Sequence, residues 1–123
     1  MKKISTNNAP AAVGPYSQAI ISGGLVFTSG QIAIDPATNK VEATDIVGQT
    51  EQVMKNLGAV LEAAGSSFDK AVKTTCFLAD MDDFAVFNGI YGKYFTSLPA
   101  RSCVAVKTLP KNVLVEVEVI AGI

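Results

Sequence analysis

Two short runs near the C-terminus alternate between apolar and other side chains with period two. They are residues 99–106 (Pro-Ala-Arg-Ser-Cys-Val-Ala-Val) and 113–119 (Val-Leu-Val-Glu-Val-Glu-Val). That period, with so many Val residues, predicts strands. Residues 107–112, with Pro110 inside, predict the turn of a hairpin. The hairpin would set Cys103 opposite Glu116 and Arg101 opposite Glu118, so that one largely apolar face carries a guanidinium and two carboxylates. Four more strands are predicted over 2–6, 19–22, 25–29 and 72–79, the second and third of these joined by Gly23-Gly24. A 3.6-residue period runs through Ile46, Val53, Met54, Leu57, Val60, Leu61 and Ala64. It predicts a long helix capped by Thr44 or Asp45 and stopped at Gly65. A second helix, capped by Asp80 or Asp82, turns Phe84, Phe87, Tyr91, Tyr94 and Phe95 inward, with Asn88 among them.

The order is three strands, helix, strand, helix, two strands, with no repeat and no linker. It predicts a single α+β domain over 1–123, with two helices on one face of a mixed six-stranded sheet. Two helices cover only one face. The other is also fairly apolar in a chain that is 49% hydrophobic, which predicts an oligomer that buries it.

Composition removes whole classes of chemistry. There is no histidine, which excludes Ser-His-Asp and Cys-His catalysis and nearly all zinc sites. Acid–base work falls to a carboxylate, Tyr, Lys, Cys or ordered water. The net charge of −1 with no basic cluster disfavours nucleic acid as a main partner. No run approaches the roughly 20 apolar residues of a membrane span, and residues 1–8 lead into polar positions rather than a secretory signal. Two cysteines, far apart in sequence, fit free thiols in a reducing cytoplasm.

Five segments in register resemble the RidA (YjgF-type) family of reactive-imine deaminases. They are 14–19 (Gly-Pro-Tyr-Ser-Gln-Ala), 28–32 (Thr-Ser-Gly-Gln-Ile), the helix bearing Asn88, 99–104, and 115–121 (Val-Glu-Val-Glu-Val-Ile-Ala). The resemblance implies a chorismate-mutase-like fold and a homotrimer with clefts between subunits. It implies hydrolysis of 2-enamines and 2-imines, such as 2-aminoacrylate and 2-aminocrotonate, to 2-keto acids and ammonia without a cofactor. Residues 94–99 are shorter than the loop that precedes the arginine in many relatives, which alters the pocket wall.

Site roles follow from the resemblance set beside the residue chemistry. Arg101 offers a planar fork to a substrate carboxylate, against the plainer reading of a cross-strand ion pair with Glu118. Glu116, desolvated on a Val-rich strand, holds or activates water, against a role as partner of Arg101 or of a neighbouring subunit. Tyr16 and Ser29 line the cleft or serve as an interface aromatic and a strand-end hydroxyl. Gly30 and Ile32 supply backbone and wall contacts. Cys103 contributes its backbone rather than its sulfur, and Asn88 is a substrate neighbour or a buried structural amide. Three rival functions stand beside the deaminase: a non-catalytic binder of keto or amino acids, a ribonuclease or translation inhibitor, and a chaperone-like holder.

Overall fold

The computed structural model describes residues 1–123. In chain order the strands and helices are β1 (Lys2–Ile4), β2 (Ala19–Ser22), β3 (Leu25–Thr28), β4 (Ile34–Asp35), β5 (Lys40–Val41), α1 (Ile46–Ala63), β6 (Ala71–Leu78), α2 (Phe84–Tyr94), β7 (Ala100–Ala105) and β8 (Val115–Gly122). Two helices lie on a mixed six-stranded sheet of order β1-β2-β3-β8-β6-β7, with β4 and β5 as a separate two-stranded ribbon. Every pairing in the large sheet is antiparallel except β6 with β7.

Local chemistry accounts for the helix ends. Asp45 caps α1, its side chain accepting from the Gly48 N–H at 2.8 Å. At the other end Gly65 takes φ +77°, and the Ser66 N–H reaches back to the Leu61 carbonyl at 2.9 Å. That is a Schellman closure, which glycine permits at the least cost. Asp80 caps one 3₁₀ turn, Met81–Asp83, that leads directly into α2.

The core lies between helices and sheet. Val53, Met54, Leu57, Val60 and Leu61 of α1 meet Val115, Val117 and Val119 of β8, all at most 1% exposed. Burial of each such side chain is worth about 1.5–3 kcal/mol, so this layer supplies most of what opposes chain entropy.

The predicted β7–β8 hairpin does not form. Strand β6 lies between the two: Thr74 pairs with Arg101 on one side and Val119 on the other, and Cys76 pairs with Cys103 and Val117. The β6–α2–β7 segment is a parallel crossover that carries β7 to the sheet edge, and β8 enters the sheet centre between β3 and β6. Residues that pair across strands share a face, so Arg101 and Cys103 join the helix-covered face with Thr74, Val117 and Val119. Glu116 and Glu118, paired with Phe77 and Thr75, point to the open face. Phe27 and Val104 on that open face are 40% and 47% exposed, beside the half-buried Ile20, Phe77 and Ile120.

Candidate functional site

The sequence-predicted site residues fall into two groups, and one chain does not bring the groups together. Tyr16, Ser29, Gly30, Ile32 and Glu116 line one cleft of about 450 Å³, with Asn39 and Lys111 at its walls. Arg101 and Asn88 line a second depression of about 440 Å³ with Tyr91, Leu98 and Pro99. Cys103, half-buried, belongs to neither lining.

The Glu116 half-site is built at the end of β3. Gln31 and Val117 exchange backbone hydrogen bonds of 2.9 and 3.2 Å, which fixes Gly30 beside Glu116 on β8. A Cβ placed on Gly30 would overlap Oε2 of Glu116 and stand 2.9 Å from its Cδ. Its φ is not positive, so glycine is required here for space and not for backbone freedom. The Ser29 hydroxyl donates to the Ser17 carbonyl, leaving its lone pairs free to accept. The N–H groups of Gly30 and Ile32 make no backbone hydrogen bond. Burial, and secondarily the nearby Glu118 carboxylate, hold the Glu116 carboxyl above the usual glutamate range.

Two buried amides that sequence patterning passed over hold this cleft in shape. Gln18, 3% exposed, accepts from the Thr6 N–H at 2.6 Å and donates to the Pro10 carbonyl at 2.7 Å, tying down the 6–10 segment. Asn56, fully buried in α1, donates to the Ile32 and Ile34 carbonyls at 3.0 and 2.9 Å. A signal for Asn56 existed: an amide one residue before Leu57, on an otherwise apolar stripe, needs partners.

In the second half-site Arg101 Nη1 donates to Asn88 Oδ1 at 2.6 Å. The guanidinium carbon lies 4.7 Å from the Tyr91 ring centroid and 5.4 Å from that of Phe84. The plainer alternative, an Arg101–Glu118 ion pair, is excluded, because β6 separates the strands and the side chains leave opposite faces. Asn88 is not a buried amide; it is exposed, and its fixed partner is Arg101. Cys103 does not face Glu116 but pairs with Cys76. Burial pushes both thiols up, Cys76 to about 12, so neither is a ready nucleophile at neutral pH.

Backbone strain gathers at the same two places. Of four non-glycine residues with positive φ, Asn39 and Lys111 line the Glu116 cleft and Leu98 lines the Arg101 depression. Such conformations cost about 1–2 kcal/mol per residue and persist where the surroundings impose them. No group of three or more His, Cys, Asp or Glu side chains is placed to hold a metal ion, and no helix is long and apolar enough to cross a membrane.

Fold and site together define a small α+β protein whose polar groups converge on two ligand-sized clefts. The family model described as endoribonuclease L-PSP matches residues 6–123, and the chain belongs to this family, also known as YjgF/RidA. A RutC family protein of Synechocystis is 54% identical over 98% of this chain and 95% of its own length. The 2-iminobutanoate/2-iminopropanoate deaminase of Salmonella typhimurium is 49% identical over 98% of this chain and 96% of its own. Among solved structures, TdcF of Escherichia coli with bound serine superposes with a TM-score of 0.94, at 41% identity over 100% of this chain and 99% of that chain.

Proposed function

We propose that the protein hydrolyses 2-imino acids, and the enamines that tautomerise to them, to 2-keto acids and ammonia. The carrying observation is the pair of half-sites: an arginine preset for a carboxylate, and a desolvated glutamate beside a glycine that leaves room for its carboxylate. The deaminase name of the Salmonella relative and the amino acid bound to the TdcF structure support the same substrate class.

Arg101 binds the substrate carboxylate through two charge-assisted hydrogen bonds. Water adds through oxygen to the imine carbon while Glu116 takes one of its protons. Glu116 returns that proton to the nitrogen to give the neutral carbinolamine. It then takes the carbinolamine hydroxyl proton and passes it to the same nitrogen, so that the C–N bond breaks and ammonia leaves as the keto group forms. For an enamine substrate the proton that must first reach carbon also comes from a carboxyl poised to exchange it. Tyr16, Ser29, Gly30 and Ile32 wall the cleft, Asn88 holds Arg101, and Cys103 serves through its backbone. Imines of this kind hydrolyse unaided, so positioning and one tuned proton transfer suffice, without cofactor or metal.

The two half-sites belong to one reaction only if different subunits supply them. Each subunit, a single domain over 1–123, joins its Arg101 half to the Glu116 half of one neighbour and its Glu116 half to the Arg101 half of the other, as a closed ring of identical subunits allows. The apolar open face around Phe27, Phe77 and Val104 supports burial within such a ring, and the family resemblance favours three subunits. A cytoplasmic location suits the free thiols.

The test is keto-acid release from a coupled serine or threonine dehydratase, comparing wild type with Arg101→Ala and Glu116→Ala. Acceleration by wild type, lost in both variants, supports the proposal. No acceleration by wild type overturns it.

A further inference from the structure

Tyr91 and Thr74 have no assigned part in the site, yet they control the surroundings of Arg101. Thr74 is fully buried in the middle of β6 and is the register partner of Arg101. Its Oγ1 lies 2.7 Å from the Tyr91 hydroxyl. The Tyr91 ring is further fixed by stacking on Phe95, with centroids 4.5 Å apart and planes 28° from parallel. The guanidinium carbon of Arg101 lies over that ring, 4.7 Å from its centroid, while Asn88 takes one N–H of Nη1.

A single cross-strand pair, Thr74 with Arg101, therefore places both the backbone that carries the guanidinium and the hydroxyl that pins the ring it rests against. If Thr74 served only to fill the core, a valine would do so without a buried hydroxyl to satisfy. An unrestrained arginine loses rotamer freedom when it binds a ligand, whereas one already held between an aromatic face and an amide has lost it on folding.

We propose that Tyr91, pinned by Thr74, is a positioning residue for Arg101. The ring fixes the plane of the guanidinium, Asn88 fixes its rotation, and the remaining N–H donors are presented to a planar carboxylate in a preset orientation. The proposal rests on the reading of Arg101 as the carboxylate clamp.

Steady-state keto-acid release, calorimetric binding of 2-oxobutanoate and thermal melting would be measured for wild type, Tyr91→Phe, Thr74→Val and the double variant. Each single change is expected to raise KM and the 2-oxobutanoate Kd about three- to tenfold, the scale of a partly desolvated cation–π contact, with kcat within about twofold. The double variant should be no weaker than either single, because both break one bond. Thr74→Ser, which keeps the hydroxyl, should restore the wild-type KM, and its contrast with Thr74→Val decides the question even if Tyr91→Phe does not fold. Lower melting temperatures with unchanged KM and Kd would overturn the proposal, as would additive losses in the double variant. Failure of the clamp reading shows differently, as a wild type that neither turns over nor binds 2-oxobutanoate.

Discussion

Arg101 and Glu116 leave opposite faces of the same sheet. Thr74, the neighbour of Arg101 on β6, and Phe77, the neighbour of Glu116, are three residues apart on one regular strand, so their side chains alternate to opposite sides. No rotamer change in one chain joins the guanidinium to the carboxylate in a common cleft. Under the proposed reaction, a second copy of the chain must supply one of the two.

The fork of Arg101 matters beyond its charge. Arg101→Ala should lower kcat/KM about 10²- to 10³-fold, the loss of two charge-assisted hydrogen bonds. Arg101→Lys should recover only part of this, because an ammonium keeps the charge without the paired geometry. Initial rates against imine generated in situ, with 2-oxobutanoate binding as a second readout, check both.

Gly30→Ala tests the spacing of the other half-site. Its new methyl group would occupy the position of the Glu116 carboxylate, and the carboxylate, not the backbone, would move. Activity should fall at least about tenfold, since a displacement of about 1 Å can cost 10²-fold. Melting temperature should change little, and circular dichroism should show the wild-type fold.

The raised pKa of Glu116 has opposite consequences for stability and activity. The folded protein holds this proton more tightly than the unfolded chain, so the group contributes stability that is full below the ordinary glutamate pKa. That contribution is lost as pH rises through the elevated folded value. Glu116→Gln should therefore melt higher than wild type at neutral pH, with the difference shrinking in acid. The activity of wild type should rise with pH over the same window, because the ionised carboxylate is the base. Melting curves and kcat/KM profiles from pH 4 to 8 measure both.

The buried amides that hold the cleft should prove costly to remove. Asn56→Ala leaves the Ile32 and Ile34 carbonyls unpaired, and each buried orphan costs about 1–3 kcal/mol. Urea unfolding at one fixed protomer concentration should show a loss of about 2–5 kcal/mol, together with weaker keto-acid binding.

Much of this was legible in the sequence. The α1 stripe, Asp45, Gly65 and the Gly23-Gly24 turn each carry a local rule that the tertiary structure leaves intact. The cleft around Tyr16, Ser29, Gly30, Ile32 and Glu116 was also within reach, because the motifs that carry it lie in three compact segments. Strand order was not. Alternation in 99–106 and 113–119 is the same whether the two strands pair or a third divides them, and Pro110 reads equally well as a hairpin turn or a longer connection. The decision rests with α2, whose crossover sends β7 past β6 to the edge. The misplaced hairpin in turn hid the ring of Tyr91 behind Arg101 and suggested an ion pair with Glu118 that the sheet forbids.

The most direct measurement mixes two inactive proteins. Arg101→Ala and Glu116→Ala chains would be co-refolded in equal amounts and assayed for imine hydrolysis. If each site draws Arg101 from one subunit and Glu116 from another, random assembly leaves about one site in four intact, and about a quarter of wild-type activity should return. A mixture as inactive as its two components, with mixed oligomers demonstrated by mass, would contradict a site shared between subunits.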